Sequence, residues 1–199
     1  MKKFVYILAS AAMLCGARPV LAQDQEGIFN LYYSMGLATG DLHDYISRYS
    51  WRGMGMEYKS EITDNVSMGI GAEWNTFYQD MNQGTFTRDN VAITGDQFRY
   101  MNSFPMSARI NYYKDNAAGL RYFAGAGIGT TYMIKALDMS IYRFTQDEWQ
   151  FLIAPEAGVS YDIDASRTIF LSVKYNLNLK TKDLAGQSYL AINVGFGFR

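Results

Sequence analysis

The chain has 199 residues, 19% of them charged and 16% aromatic, with 18 Gly, 3 Pro and a single Cys. That composition excludes a disordered, collagen-like or disulfide-stapled protein. Eighteen basic residues against 19 acidic ones leave no cationic excess for neutralising phosphates, so no nucleic-acid partner is expected.

Residues 1–22 open with Lys2 and Lys3, continue through an apolar stretch over 4–14 and close on Val20-Leu21-Ala22. This is the pattern of a secretory signal peptide cleaved after Ala22, with residues 23–199 as a single exported domain. The apolar stretch is about half of the ~20 residues that a membrane-crossing helix needs. Cys15 follows it, but Leu14 stands where a small residue precedes a lipidated cysteine, so a lipoprotein is not expected. Cleavage removes the one cysteine, and with it thiol nucleophiles, thiolate ligands and disulfides.

Beyond the signal, strict apolar/polar alternation predicts eight strands, at 28–38, 53–60, 66–76, 104–113, 120–134, 151–162, 169–177 and 190–198. The third run alternates Val66, Met68, Ile70, Ala72 and Trp74 with Ser67, Gly69, Gly71 and Glu73. The last alternates Leu190, Ile192, Val194, Phe196 and Phe198 with Ala191, Asn193, Gly195 and Gly197. Connections alternate too. Residues 39–52, 77–103 and 135–150 are long, 61–65, 114–119 and 163–168 are short, and 181–188 is intermediate. The short ones carry the Asx and Ser chemistry of tight turns, as in Asp164-Ala165-Ser166.

The two faces of these strands indicate the surrounding solvent. In the chosen phase no apolar-face position holds Asp, Glu, Lys or Arg. The other face is rich in Gly and Ser, which suits the crowded lumen of an eight-stranded barrel better than a water-facing surface. A charge at the bilayer midplane costs roughly 2 to 4 kcal/mol. The expected fold is therefore all-β, an eight-stranded antiparallel up-and-down transmembrane β-barrel, with the last strand closing on the first because an open edge in hydrocarbon is costly. A soluble lipocalin-like barrel is the competing reading. Aromatic girdles are expected from Phe29, Tyr58, Tyr112, Tyr122, Tyr161, Phe196 and Phe198 at the turn end, and from Trp74, Tyr132 and Phe151 toward the loop end. Pro155 removes one donor from the sixth strand, predicting a bulge or a donor position that faces no partner.

Seven inward charges, Glu57, Lys59, Glu73, Arg109, Arg121, Glu156 and Lys174, predict a paired network that plugs the lumen. A gated pore lined by the same charges is the alternative. His43, the single histidine, lies in the first long connection beside Asp41, Asp44 and Ser47. A Ser–His pair or a weak metal site there is weighed against an ordinary solvated loop, and the loop is preferred, with no cofactor and no metal. The run from Asp80 to Gly84 resembles the start of a calcium loop, but Val91 stands where the bidentate Glu belongs. Residues 77–103, with Tyr78, Phe86, Val91, Ile93 and Phe98, are less polar than a solvated linker and suit a hairpin prolonging its neighbouring strands above the membrane.

The run from Phe104-Pro105-Met106 to Ile110-Asn111-Tyr112-Tyr113, the run Arg121 to Gly129 and the ending Ile192 to Phe198 resemble the small outer-membrane β-barrel family of Gram-negative bacteria, the OmpA-barrel, OmpX and OmpW-like group. The resemblance covers residues 27–199 and implies location in the outer membrane. It also implies insertion by the outer-membrane assembly machinery, which reads an alternating, aromatic-ended last strand. Here Phe198 is penultimate and Arg199 last. No peptidoglycan-binding domain is expected after residue 199. Two enzymes of this architecture are not matched. A lipid A palmitoyltransferase would need an N-terminal amphipathic helix that residues 23–26 are too short to supply. A lipid A deacylase would need His and Ser close together late in the chain. The expected role is a monomeric structural or surface-interaction protein. Its partners would be outer-membrane lipid and lipopolysaccharide, and a host or cell-surface ligand at the loops. A small channel is the second reading and a lipid A-modifying enzyme the third.

Overall fold

The computed structural model describes residues 27–88, 91–116, 119–139, 142–182 and 184–199. Residues 1–22, expected to be a signal peptide, lie outside the described residues. Eight strands follow in order, β1 (Gly27–Thr39), β2 (Arg52–Thr63), β3 (Val66–Arg88), β4 (Val91–Asp115), β5 (Leu120–Met139), β6 (Tyr142–Asp164), β7 (Arg167–Asn178) and β8 (Ser188–Phe198), with a one-turn helix, α1 (Asp41–Tyr45), between β1 and β2. Each strand pairs with its sequence neighbours and the ring is closed. The closing ladder runs antiparallel from Phe29 opposite Phe198 to Thr39 opposite Ser188, leaving no strand edge at that seam.

The alternation of the sequence is the alternation of the wall. Leu31, Met56, Ile70, Ile110, Ile128, Leu171 and Val194 are exposed outward, while Asn30, Glu57, Ser107, Arg109, Ser172 and Asn193 are buried inside. An apolar exterior around a polar interior inverts the usual soluble arrangement. From Tyr122 to Tyr132 on β5, ten residues at about 3.3 Å tilted near 45° span roughly 23 Å of height, close to the apolar band of such barrels. Among the described residues no helix is long and apolar enough to cross a membrane, and strands provide the span instead.

The glycines of the inner face permit close packing. A Cβ at Gly71 would stand 2.9 Å from the Arg109 guanidinium carbon, so a side chain there would displace the central cation. Both prolines within strands interrupt a ladder without shifting its register. Opposite β7 the pairing lapses between Ile153–Leu177 and Glu156–Lys174, where Pro155 has no N–H to give. Opposite β3 it lapses between Ala72–Met106 and Asn75–Ser103, at Pro105. The sixth strand thus has no bulge at Pro155; its donor gap faces β7. At the turn end, Ser166 N donates to Asp164 Oδ1 at 2.8 Å, the Asx turn expected there.

Beyond the apolar band, β3 to β6 continue as a four-stranded sheet while the other four strands stop. The prolonged hairpin expected over 77–103 is present, with β3 and β4 paired up to Arg88 opposite Val91. The connection expected over 135–150 is corrected to strand: β5 and β6 remain paired up to Met139 opposite Tyr142. Once the wall rises out of the membrane its outer face meets water, so the apolar alternation ends although the backbone pairing does not.

Candidate functional site

Inward charges from β2, β3, β4 and β7 meet across the lumen. Glu73 on β3 accepts hydrogen bonds from Arg109 Nη2 and Lys174 Nζ. Tyr32 Oη donates to the same Glu73 oxygen at 2.9 Å and accepts from Arg109 Nη1 at 3.3 Å. Arg109 Nε donates to Ser107 Oγ at 3.0 Å. On the turn side of this group, Glu57 takes Arg109 Nη1 at 3.5 Å and Lys59 Nζ at 3.1 Å. Asn30 Nδ2 donates to Glu57 at 3.1 Å, and Lys59 Nζ to Tyr113 Oη at 3.1 Å. Glu156 stands opposite Lys174 across the β6–β7 ladder. Three carboxylates and three cations therefore balance within the lumen. Glu57, Lys59, Glu73, Arg109 and Lys174 are all buried, a location in which each charge needs its partners.

Of the seven inward charges singled out, Arg121 lies apart from this group. It closes the turn end, with Nη1 on Glu61 and Nε on Asp115, both at 2.9 Å, and its guanidinium 4.8 Å from the Tyr113 ring centre. Arg199 lies beside it, its backbone N–H on Ser166 O at 2.9 Å and its side chain 3.5 Å from Asp162. The cavity among these residues is only about 30 Å³, room for a water and little more.

At the loop end the interior turns apolar, in contrast to the polar network expected throughout the lumen. Phe77, Met101, Met133 and Tyr189 point inward from the strands, and Leu42 from α1, Ile46 just after it and Leu184 from the β7–β8 connection join them in one buried cluster. Phe77 and Tyr189 meet edge to face at 5.1 Å. Below them, Tyr189 Oη takes Asn75 Nδ2 at 3.3 Å and lies 3.2 Å from Ser103 Oγ. The available signal was phase: Phe77, Met101 and Tyr189 continue the inward phase of their strands past the ends of the windows. The participation of α1 and residue 184 is tertiary and had no such signal.

Tyr45 anchors α1 over this cluster. Its hydroxyl donates to Ala136 O at 3.0 Å and its carbonyl accepts from Arg99 at 3.0 Å. Lys135 and Arg99 lie 3.7 and 5.0 Å from its ring centre. Burial, opposed by Arg99 and aided by Asp138, pushes the Tyr45 hydroxyl up to about 12, so the ring stays neutral. Burial, then Arg99, pulls the Lys135 ammonium below the usual lysine range. His43 is exposed on α1, while Ser47 turns to Gln79, 2.7 Å from its backbone N–H. Among the described residues no group of His, Cys, Asp and Glu has the geometry to hold a metal ion.

On the outer wall, nine of the ten aromatics assigned to girdles are exposed: Phe29, Tyr58, Trp74, Tyr112, Tyr122, Phe151, Tyr161, Phe196 and Phe198. The tenth, Tyr132, is half-buried in a row that also includes Phe104 and Trp149, which are not among the expected girdle residues. Trp74 lies parallel to Phe104 with ring centres 6.4 Å apart, and Phe104 meets Tyr132 at 6.4 Å and Tyr132 meets Trp149 at 5.0 Å in tilted contacts. The row is capped by polar groups, with Trp74 Nε1 donating to Asn102 and Tyr132 Oη to Asp147, at 3.3 and 2.8 Å.

The description "Outer membrane protein beta-barrel domain" fits residues 7–199. Among curated proteins no relative matches the chain. Among solved structures, Neisserial surface protein A is similar over 86% of this chain and 96% of its own, at 13% identity and a TM-score of 0.59. Ail, the attachment invasion locus protein of Yersinia pestis, in complex with the heparin analogue sucrose octasulfate, matches over 88% and 99% at 14% identity and 0.55. The outer membrane protease OmpT of Escherichia coli matches over 90% and 99% at 8% identity and 0.50. Identities this low carry the fold alone, and proteins of different activity share it. With its apolar exterior, the chain is an integral protein of the outer membrane, and it belongs to the outer membrane protein beta-barrel domain family.

Proposed function

We propose that this protein is a monomeric outer-membrane barrel that neither conducts nor catalyses, and that it acts at the cell surface through the sheet raised by β3 to β6. One observation carries the reading: the lumen is filled twice, by the Glu73-centred charge network and, above it, by the apolar cluster of Phe77, Met101, Met133 and Tyr189. Water and ions would have to break both, and eight strands leave little room beside them. A non-enzymatic role is supported by the surroundings of His43, where the Ser47 hydroxyl donates to Gln79 Oε1 at 3.4 Å. The surface role is supported by the raised sheet, which can meet lipopolysaccharide or a host or cell-surface ligand. Assembly would use the outer-membrane machinery, with the aromatic-ended β8 as its signal.

Conductance tests this reading. Purified protein in planar bilayers should give no unitary current steps under conditions in which a general porin does. Reproducible steps from the wild-type barrel would contradict it.

A further inference from the structure

The outer surface where β1 meets β8 and the start of β2 breaks the pattern of the rest of the wall. Gly36 and Ser50 exchange two backbone hydrogen bonds of 2.8 Å, yet Met54 pairs with Tyr33. The strands slip by one residue between these pairs. A bulge of this kind re-aims a side chain. Here it puts Trp51 and Arg52, adjacent in sequence, both outward, between buried Ser50 and buried Gly53. Tyr33 Oη donates to the Trp51 carbonyl and holds the bulge.

Tyr49 and Trp51 are each 67% exposed, and together they form a wall with a different recess on either side. On one side is a groove of about 320 Å³ along Met35, Leu37, Leu190 and Ile192. On the other is a basin of about 530 Å³ whose basic groups are Arg48 and Arg52, with Tyr78 beside them. Arg52 lies opposite Thr76, one outward pair beyond Met54 and Trp74. Arg52 therefore sits one step above the aromatic row, near the height where acyl chains give way to lipid headgroups. Arg48 gives one nitrogen to Asp80 at 2.8 Å and keeps the rest of its fork. Arg52 is ion-paired to no described residue. With Asp80 counted, the basin carries a net charge of about +1 and faces the membrane boundary.

We propose that the bulge from Tyr49 to Arg52 binds one phosphorylated, multiply acylated glycolipid of the outer leaflet, with an acyl chain in the groove and a phosphate between Arg48 and Arg52. Guanidinium groups bind phosphate through paired hydrogen bonds that an ammonium cannot reproduce. At the membrane boundary the lower dielectric strengthens that attraction. The aromatic wall separates chain from headgroup, and a soluble anion would have no use for the groove. The proposal goes beyond the surface role and needs only the outer-membrane location.

The test uses the folded barrel in nanodiscs of neutral phospholipid. It is incubated with hexa-acylated bis-phosphorylated lipid A or with the fully dephosphorylated form, and retained lipid is counted by native mass spectrometry. The wild type should retain one molecule, favouring the phosphorylated form roughly tenfold. The double variant Arg48→Gln/Arg52→Gln should lose that preference, and Trp51→Ala should weaken retention of both forms. Arg143→Gln, which changes an exposed arginine at the far end of β6, should match the wild type. Each variant is first checked for the compact unboiled band of a folded barrel. Should the double variant not fold, Arg52→Lys serves instead and should lose part of the preference. Equal retention of the two forms by the wild type overturns the proposal. So does an unchanged preference in the arginine variants, or an equal loss in Arg143→Gln, which would mean diffuse charge attraction only.

Discussion

Glu73 is the residue on which the interior depends most. Its side chain is fully buried and takes both Arg109 and Lys174, with Tyr32 completing its shell. Removing its charge strands two cations in a low-dielectric lumen. Glu73→Gln should therefore destabilise the barrel by about 3 to 5 kcal/mol, read as a lower urea midpoint for loss of the compact gel form. Arg121→Gln should cost about 0 to 1 kcal/mol by the same assay, because Arg121 and its partners Glu61 and Asp115 are partly exposed at the turn end. Equal effects would mean that the interior charges are not coupled as described. Period-2 phase assigns all seven charges to the inner face, and Glu57, Lys59, Glu73, Arg109 and Lys174 are buried. Phase could not assign partners, since which inward residues share a level depends on strand tilt and stagger, and Arg121 fell outside the group for that reason.

At the scale of elements, two long hairpins distinguish this molecule, and the sequence disclosed them unequally. The windows at 66–76 and 104–113 ended where the outer face changes solvent, although β3 and β4 pair far beyond. Phe98 and Tyr78 hint at continuation over 77–103, whereas over 135–150 the charges of Asp138, Arg143, Asp147 and Glu148 interrupt the apolar alternation. Both hairpins rise above the row of Trp74, Phe104, Tyr132 and Trp149, so neither is needed to hold the span. Shortening β3 and β4 to a tight turn joining Tyr78 to Tyr100, which are already paired, should leave folding and the heat-dependent gel shift intact. Failure of that variant to fold would place part of the barrel's stability in the raised sheet. The Tyr49 to Arg52 bulge has no signature in period-2 alternation, because a bulge is a break in that alternation.

For the whole molecule, architecture was the most legible property and activity the least. A charge-free outer face and a glycine-rich inner one fix the solvent on each side, because lipid excludes ions and a narrow lumen excludes bulk. The loop-end plug needed the third dimension, since Leu42, Ile46 and Leu184 reach Phe77 and Tyr189 from distant parts of the chain. The central claim is the inversion of the two faces, and the single cysteine at position 15 makes it directly measurable in protein expressed from residue 23 onward. Spin labels placed one at a time at Ile70, Ile128 and Leu171, and at Asn30 as the inward contrast, report collision with oxygen dissolved in lipid and with a nickel chelate dissolved in water. The three outward labels should be open to oxygen and closed to nickel in reconstituted bilayers. Nickel access at Ile70, Ile128 and Leu171 equal to that of a label in the raised sheet would contradict the account.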